Sequence, residues 1–172
     1  MAVRIRKPGN RISAISRWAS TSRCATPQNA AARRALRGKK LLAVDYGRVR
    51  VGLATGDPLG ISLTLIGFVR RETDAQAALV VAQVAQQHGC EGVLLGLPLH
   101  ANGDRGANVG WVMAFRRELA KVCALPVGEV DERYSSAEAD ELLRERGEWP
   151  PKPGRSDAAA AAILLRRFHA GE

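Results

Sequence analysis

Two short, uninterrupted apolar segments limit the fold of this chain more than any other feature of its sequence. Leu41–Val44 and Val93–Leu95 contain only aliphatic residues, with no polar residue alternating between them. Runs of this length and composition are typical of strands that are buried on both faces of a sheet. We therefore expect an α/β fold in which helices cover both faces of one sheet.

The elements predicted along the chain follow the order βββαβαβαα. Strands are predicted at 41–45, 49–54, 62–69, 93–96 and 126–130, and helices beginning near residues 74, 107, 135 and 157. The first three strands are joined as hairpins and therefore run antiparallel, whereas strands that alternate with helices run parallel. The prediction is a mixed five-stranded sheet with helices on both faces.

Positive charge is concentrated in the first 40 residues. They contain 11 of the 26 Lys and Arg residues and no Asp or Glu, whereas the rest of the chain holds 15 basic and all 17 acidic residues. We therefore divide the chain into a basic, disordered N-terminal extension, residues 1–39, and a folded domain, residues 40–172. The extension is compatible with a dispensable arm, a nucleic-acid-binding arm or an organellar targeting segment, and composition does not separate these.

Two classes of protein are excluded by what the sequence lacks. No stretch approaches the roughly 18 apolar residues that a membrane-spanning helix needs. Cys24, Cys90 and Cys123 lie far apart, which argues against a disulfide framework and against a cysteine-based zinc site. These features favour a reduced, cytoplasmic protein.

Acidic residues stand where predicted strands end and where the last helix begins. Asp45 closes the first strand, Asp131 and Glu132 follow the fifth, and Asp157 opens the last helix. Each has a local explanation, either a turn or the capping of a helix. Convergence at one edge of the sheet is the alternative, because ligands bind where the strands of an open α/β sheet end. A divalent cation relieves repulsion among clustered carboxylates, and oxygen ligands suit Mg²⁺ or Mn²⁺, ions that support phosphodiester hydrolysis.

Four motifs make the chain resemble a known family. They are Asp45-Tyr46-Gly47 with Val51-Gly52-Leu53-Ala54, Gly96-Leu97-Pro98-Leu99 with Gly103, Asp131-Glu132-Arg133 with Ser135-Ser136-Ala137, and Asp157-Ala158 with Ala160, Ala161, Ile163 and Leu164. In this order, over residues 41–169, they resemble the YqgF/RuvX family. That family comprises nucleases of ribosomal RNA precursors and Holliday-junction-resolvase-like proteins of the RNase H-like superfamily.

The resemblance implies an RNase H-like fold and a metal-dependent nuclease that hydrolyses phosphodiester bonds in RNA. The implied task is processing of the 5′ end of pre-16S rRNA in the bacterial cytoplasm, with branched DNA as a further substrate. It implies that Asp45 and Asp157 are catalytic and bind Mg²⁺ or Mn²⁺, and that Asp131 or Glu132 supplies the third acid, with Glu132 named as the metal ligand. Arg133 is implied as a phosphate contact.

One departure from the wider superfamily concerns the number of ligands. Many RNase H-like nucleases carry an acid on or after the fourth strand, where this chain has Leu94-Leu95-Gly96-Leu97-Pro98. We therefore expect three protein ligands, with a phosphate of the substrate completing the site.

Two loops are candidate substrate contacts. Gly147–Arg155 combines Trp149, Lys152 and Arg155, and an aromatic ring beside cations suits single-stranded nucleic acid, although an ordinary Pro-rich connection has the same composition. The glycine-rich loop 98–106 precedes a helix and could offer backbone N–H groups to phosphate, or form a plain turn.

Other functions and assemblies remain compatible with the sequence. A non-catalytic nucleic-acid-binding module on the same scaffold would keep the basic loops without needing all the acids. An ATP-handling protein of the actin or sugar-kinase type shares Asp-x-Gly in its first hairpin but needs more chain than 172 residues. A homodimer is compatible with a small domain that must follow a large nucleic acid.

Overall fold

A five-stranded sheet lies at the centre of the protein. The computed structural model describes residues 26–98, 107–132 and 135–171. The strands are β1 (Leu41–Tyr46), β2 (Arg50–Gly56), β3 (Leu63–Arg70), β4 (Gly92–Leu97) and β5 (Val127–Asp131). The described helices are α1 (Pro27–Leu36), α2 (Asp74–Gln87), α3 (Ala107–Val122), α4 (Ser135–Glu145) and α5 (Arg155–Ala170). From residue 40 onward this is the predicted βββαβαβαα order.

The sheet is mixed, as predicted, and its strands lie in the order β3-β2-β1-β4-β5. The pairs β1–β2 and β2–β3 are antiparallel, and the pairs β1–β4 and β4–β5 are parallel. Strand β1 is therefore central, and the carboxyl ends of β1, β4 and β5 meet at one edge. The candidate acids Asp45 and Glu132 belong to that edge.

Helices cover both faces of the sheet, so the α/β class is confirmed. Alternate residues of the central strand enter two separate apolar clusters: Leu41 and Ala43 pack with α4 and α5, whereas Leu42 and Val44 pack with α2 and α3. The five consecutive alanines that begin at Ala158 are buried against the first of these faces, and their small side chains let α5 approach the sheet closely.

The expectation of a disordered extension over residues 1–39 does not hold for α1. Thr26 caps this helix by accepting a hydrogen bond from the Asn29 amide at 3.2 Å, and Pro27 occupies its first turn. Leu36 at its end is fully buried in the core. Sequence periodicity missed the helix because Leu36 is its only large apolar residue and packs against residues as distant as Gly128. Residues 1–25 lie outside the described residues.

Some predictions concern residues on which the structure is silent. The loop from 99 to 106 and the proposed phosphate contact Arg133 both lie outside the described residues. Elsewhere the predicted cap of α2 is present, since the Thr73 hydroxyl accepts a hydrogen bond from the Gln76 amide at 3.1 Å. None of the described helices is long and apolar enough to cross a lipid bilayer.

Candidate active site

Asp45 and Glu132 lie against each other at the carboxyl ends of the parallel strands. Val44 pairs with Leu95, so Asp45 and Gly96 follow side by side on β1 and β4. The Glu132 amide donates to the Leu97 carbonyl at 3.2 Å, which holds Glu132 beside the end of β4. Its carboxyl then reaches across Gly96, where any side chain would collide with Glu132 Oε2. The absence of a side chain at Gly96 is what allows the two acids to meet.

Asp157 approaches Asp45 from the other side of β1. Gly52 on β2 is the register partner of Asp45. The main chain of Asp157 occupies the space that a side chain at Gly52 would fill, so the first turn of α5 is pressed directly onto β2. Two glycines thus flank Asp45 in the sheet, and each admits one of the other acids.

The proximity of the acids appears in their pKa values. The pKa of Asp45 is raised to about 6, first by burial and then by the negative charge of Asp157, against a hydrogen bond with Glu132 that lowers it. Burial likewise raises the pKa of Glu132 to about 8, with the charges of Asp45 and Asp131 adding to the effect and Arg167 opposing it. Without a cation, this pair therefore retains about one proton at neutral pH, held mainly by Glu132.

Glu132 is the acid of the fifth strand that faces Asp45. The sequence left the choice between Asp131 and Glu132 open. Val130 belongs to the cluster under α5, so alternation turns Asp131 to the opposite face and Glu132 back to the side of Asp45. The Asp131 carbonyl accepts a hydrogen bond from Arg167 at 3.0 Å, which fastens this end of β5 to α5.

A small pocket opens over the acids. Its volume is about 160 Å³, and it is lined by Asp45, Asp157, Asp140 and Ser156, whereas Glu132 does not line it. Asp140 of α4 was not predicted from the sequence, where it stands among the exposed charges of an amphipathic helix. Only the packing of α4 beside α5 brings it over the sheet edge.

The donors of this site fit a hard divalent cation in their chemistry. Within the described ranges, no three Asp, Glu, His or Cys side chains form a ready-made metal-binding group. Asp45 interacts with Glu132 and with Asp157. The Glu132 Oε2 atom is buried and has no hydrogen-bond partner among the described residues. A buried carboxylate oxygen without a donor is costly, and a cation bound by oxygen ligands removes that cost.

Arg50 is a cationic neighbour of the acids that the sequence analysis did not single out. Its guanidinium lies 3.6 Å from Asp157 Oδ2 and 4.8 Å from the centre of the Phe68 ring. The Arg50 side chain is 49% exposed, so it also remains open to an anionic ligand. The alternation of Arg and apolar residues at the start of β2 was the available signal.

A second arginine near the acids stacks on an aromatic ring. The Arg48 guanidinium lies 4.4 Å from the centre of the Trp111 ring, and both residues are exposed. Arg48 belongs to the turn that follows Asp45, which places this pair near the acids.

The three predicted substrate contacts around the loop before α5 have different surroundings. Trp149 and Lys152 are exposed and line a pocket of about 570 Å³, and the Arg144 guanidinium lies 4.4 Å from the centre of the Trp149 ring. The Arg155 side chain instead pairs with Glu148 and donates to the Leu65 carbonyl at 3.2 Å. These bonds tie the loop to β3, so the guanidinium of Arg155 is already engaged within the protein.

Comparisons with known proteins agree with this geometry. A sequence profile of the family described as "RuvX: Holliday junction resolvase" matches residues 39–170. A protein of Anaeromyxobacter dehalogenans (strain 2CP-1), named "Putative pre-16S rRNA nuclease", is 36% identical over 128 residues, which are 74% of this chain and 93% of that protein. A protein of the same name from Parasynechococcus marenigrum is 38% identical over 128 residues, 74% of this chain and 80% of its own length.

Solved structures show a similar fold. Thermus thermophilus RuvC in complex with a Holliday junction substrate superposes with a TM-score of 0.51 at 19% identity, over 77% of this chain and 94% of that chain. The fowlpox virus resolvase in complex with Holliday junction DNA gives a TM-score of 0.51 at 12% identity, over 77% and 97%. At such identities the likeness establishes the RNase H-like resolvase fold and no more.

Proposed function

The chain belongs to the RuvX family, and from this premise we propose that it is a metal-dependent nuclease that hydrolyses phosphodiester bonds in RNA. The observation that carries the proposal is the placement of Asp45, a half-buried acid that interacts with Glu132 on one side and Asp157 on the other. Three acids from distant parts of the chain, gathered at the carboxyl edge of a sheet, fit the chemistry of cation binding.

We assign Asp45, Glu132 and Asp157 as the residues that hold Mg²⁺ or Mn²⁺. The bound ion would lower the pKa of a water and stabilise the charge that develops on the leaving oxygen. At neutral pH it is mainly Glu132 that must lose a proton for this binding, so occupancy rises with pH. Asp140 at the pocket wall adds negative charge that favours the cation.

Cationic and aromatic side chains around the acids would position the substrate. Arg50 is exposed beside Asp157 and suits a phosphate next to the scissile bond. Trp149 and Lys152 form a stacking and phosphate-binding surface on the neighbouring loop. Arg133, by its place in the family motif, is a further phosphate contact. Arg155 supports the loop from within rather than binding the substrate.

The substrate we propose is the 5′ end of pre-16S rRNA, processed in the bacterial cytoplasm. The name carried by the two relatives supports this choice, and the description of the family supports branched DNA as a second substrate. A homodimer would let a domain of this size hold two segments of a large nucleic acid, and it remains a proposal.

Cleavage assays on a ribosomal RNA precursor fragment test the function. With Mn²⁺ or Mg²⁺ present, Asp45→Asn and Glu132→Gln should each lose more than about 100-fold in rate, because even changes to residues that only support metal ligands cost 10- to 100-fold. Glu141→Gln, an exposed acid on α4, is the matched control and should cleave normally. A branched DNA in parallel reports the substrate preference.

Metal titration separates the nuclease from a non-catalytic binding module. The nuclease requires that Mn²⁺ bind to the wild-type protein, alone or with RNA, and bind weakly to Asp45→Asn. RNA binding without cleavage, together with no metal binding by the wild-type protein, would establish the module instead.

A further inference from the structure

The edge of the sheet at β5 is sealed by α1, a helix that lies outside the matched family region. Asn29 accepts a hydrogen bond from the Glu129 amide at 2.8 Å and donates one to the Glu129 carbonyl at 3.0 Å. These two bonds satisfy the backbone groups of Glu129 in an edge strand, where unpaired groups would invite pairing with another chain. Asn29 is itself buried.

Leu36 fixes the other end of α1 to the body of the fold. Its side chain fills the space above Gly92 on β4 and Gly128 on β5, where a methyl group at either position would collide with it. The helix is therefore accommodated by two glycines of the domain itself. A segment docked in this way is an integral part of the fold and holds its surface side chains in fixed positions.

The surface that α1 presents is strongly basic. Arg33, Arg34 and Arg37 line a pocket of about 470 Å³ between α1 and the end of α5, where Phe168 and Gly171 complete the lining. Arg33 lies over the Phe168 ring, with its guanidinium 5.6 Å from the ring centre. None of the described residues that line this pocket is acidic.

Arg34 and Arg37 of this pocket differ from most other arginines in the described part of the chain. Arg71, Arg116, Arg144, Arg155 and Arg167 each form an ion pair with a carboxylate. The Arg34 and Arg37 side chains, both exposed, form no ion pair with any described residue. Basic residues at the C-terminal end of α1 interact favourably with the helix dipole. One positive charge is enough for that effect, so it explains neither the pocket nor the absence of acidic residues from its described lining.

We propose that this pocket, defined by Arg33, Arg34 and Arg37, is a second nucleic-acid site that binds backbone phosphates of the substrate away from the scissile bond. The ligand class rests on the proposed nuclease function, while the site rests on charge and geometry. Arginine suits phosphate because its planar group offers several donors at once.

The distance between the two sites suits one continuous ligand. Asp157, in the first turn of α5, lies beside the acids, and Gly171, which caps the other end of the helix, lines the pocket. At about 1.5 Å per residue this separation is about 21 Å along the helix. A strand with one phosphate about every 3.4 Å covers it with about six phosphates. The two sites are therefore close enough for one RNA, which passes over the neighbouring surface because residues 158–165 of α5 are buried.

Salt-dependent RNA binding tests the proposal. The probe is a fluorescently labelled RNA hairpin with a single-stranded 5′ extension, measured without added metal in an Asp45→Asn background so that cleavage does not interfere. Arg34→Gln with Arg37→Gln should weaken binding by about tenfold at 0.1 M salt and lower the slope of log K against log salt by about 1.4, at about 0.7 per phosphate contact. Arg34→Lys with Arg37→Lys should restore most of the binding, because lysine keeps the charge.

The matched control removes two exposed cations from another helix. Arg117→Gln with Lys121→Gln on α3 should leave affinity and salt slope unchanged. Melting temperatures of all variants should agree, since Arg34 and Arg37 make no ion pair with a described residue and Lys121 has only an exposed pair with Glu118. Equal RNA binding by the Arg34/Arg37 and Arg117/Lys121 variants would overturn the proposal, as would a defect seen only with anionic phospholipid vesicles.

The test of the α1 site can be distinguished from the test of the nuclease function. If the wild-type protein bound the hairpin through Arg34 and Arg37 but never cleaved RNA with Mn²⁺, the α1 site would stand and the nuclease would fall. If it cleaved RNA while the Arg34/Arg37 variant bound as tightly as wild type, the reverse would hold.

Discussion

The carboxyl group of Glu132 occupies the space that a side chain at Gly96 would fill. This relationship joins the end of β5 to the end of β1, because Gly96 lies between them on β4. It makes the composition of β4 a condition for the meeting of two acids that are 87 residues apart in the sequence. Although Gly96 has no reactive group, its lack of a side chain allows the Glu132 carboxyl to lie over β4.

We predict that Gly96→Ala preserves the fold and damages the site. The added methyl group meets the mobile end of Glu132 and the Leu164 side chain, which lies 3.0 Å away, and Glu132 must turn aside. Cleavage and Mn²⁺ affinity should fall by about 10- to 100-fold, as when other groups that position metal ligands are lost. Gly110→Ala, on an open surface of α3, is the control and should cleave normally. Unchanged Mn²⁺ affinity in Gly96→Ala would argue against Glu132 as a ligand.

We predict that Gly52→Ala acts on stability instead. Here the methyl group meets the main chain of Asp157, which cannot move without shifting the first turn of α5. The free energy of unfolding should fall by about 1–3 kcal/mol or more, the usual cost of overpacking a core. Urea denaturation of Gly52→Ala and Gly96→Ala would measure the contrast. Greater destabilisation by the substitution at Gly96 would contradict it.

Without metal, the stability of the protein should fall as pH rises from about 4 to about 8. The folded-state pKa values of Asp45 and Glu132 are raised to about 6 and about 8, so in this range the folded chain binds more protons than the unfolded chain. Because unfolding releases these extra protons, a rise in pH shifts the equilibrium toward the unfolded state. Thermal melting with a chelator in this pH range should show a steeper decline for wild type than for Glu132→Gln.

Added Mn²⁺ should reverse this decline at pH 8. The ion binds the deprotonated acids of the folded chain and stabilises it in proportion to its occupancy. If the stability of the wild-type protein and of Glu132→Gln had the same pH dependence, both with and without Mn²⁺, the acids would not interact as described.

Helix α1 should contribute measurably to the stability of the domain. Leu36→Ala leaves a cavity above Gly92 and Gly128 and should lower the free energy of unfolding by about 2–5 kcal/mol. Leu59→Ala removes a leucine that is 74% exposed and should have little effect. Equal stability of the two variants in urea would mean that α1 does not pack as the structure describes.

Arg155 shows why exposed cations are difficult to interpret from sequence. Its position two residues before Asp157 favoured a phosphate contact, yet its partners are Glu148 and the Leu65 carbonyl, 90 residues away in the case of Leu65. Arg50 shows the converse, since only the docking of α5 on β2 brings it within 3.6 Å of Asp157. In both cases the decisive neighbour comes from another part of the chain.

From residue 40 onward, local sequence patterns predict the order of the strands and helices, the two-sided burial of the central strands and the three points at which acids stand. These features follow from local periodicity and from the residues that end strands and cap helices. Three-dimensional packing was needed to show that Glu132 rather than Asp131 faces Asp45, that Asp140 joins the pocket, and that α1 belongs to the fold. Such choices depend on side-chain direction at strand ends and on glycines that admit remote neighbours, and both are set by packing between segments that are distant in sequence.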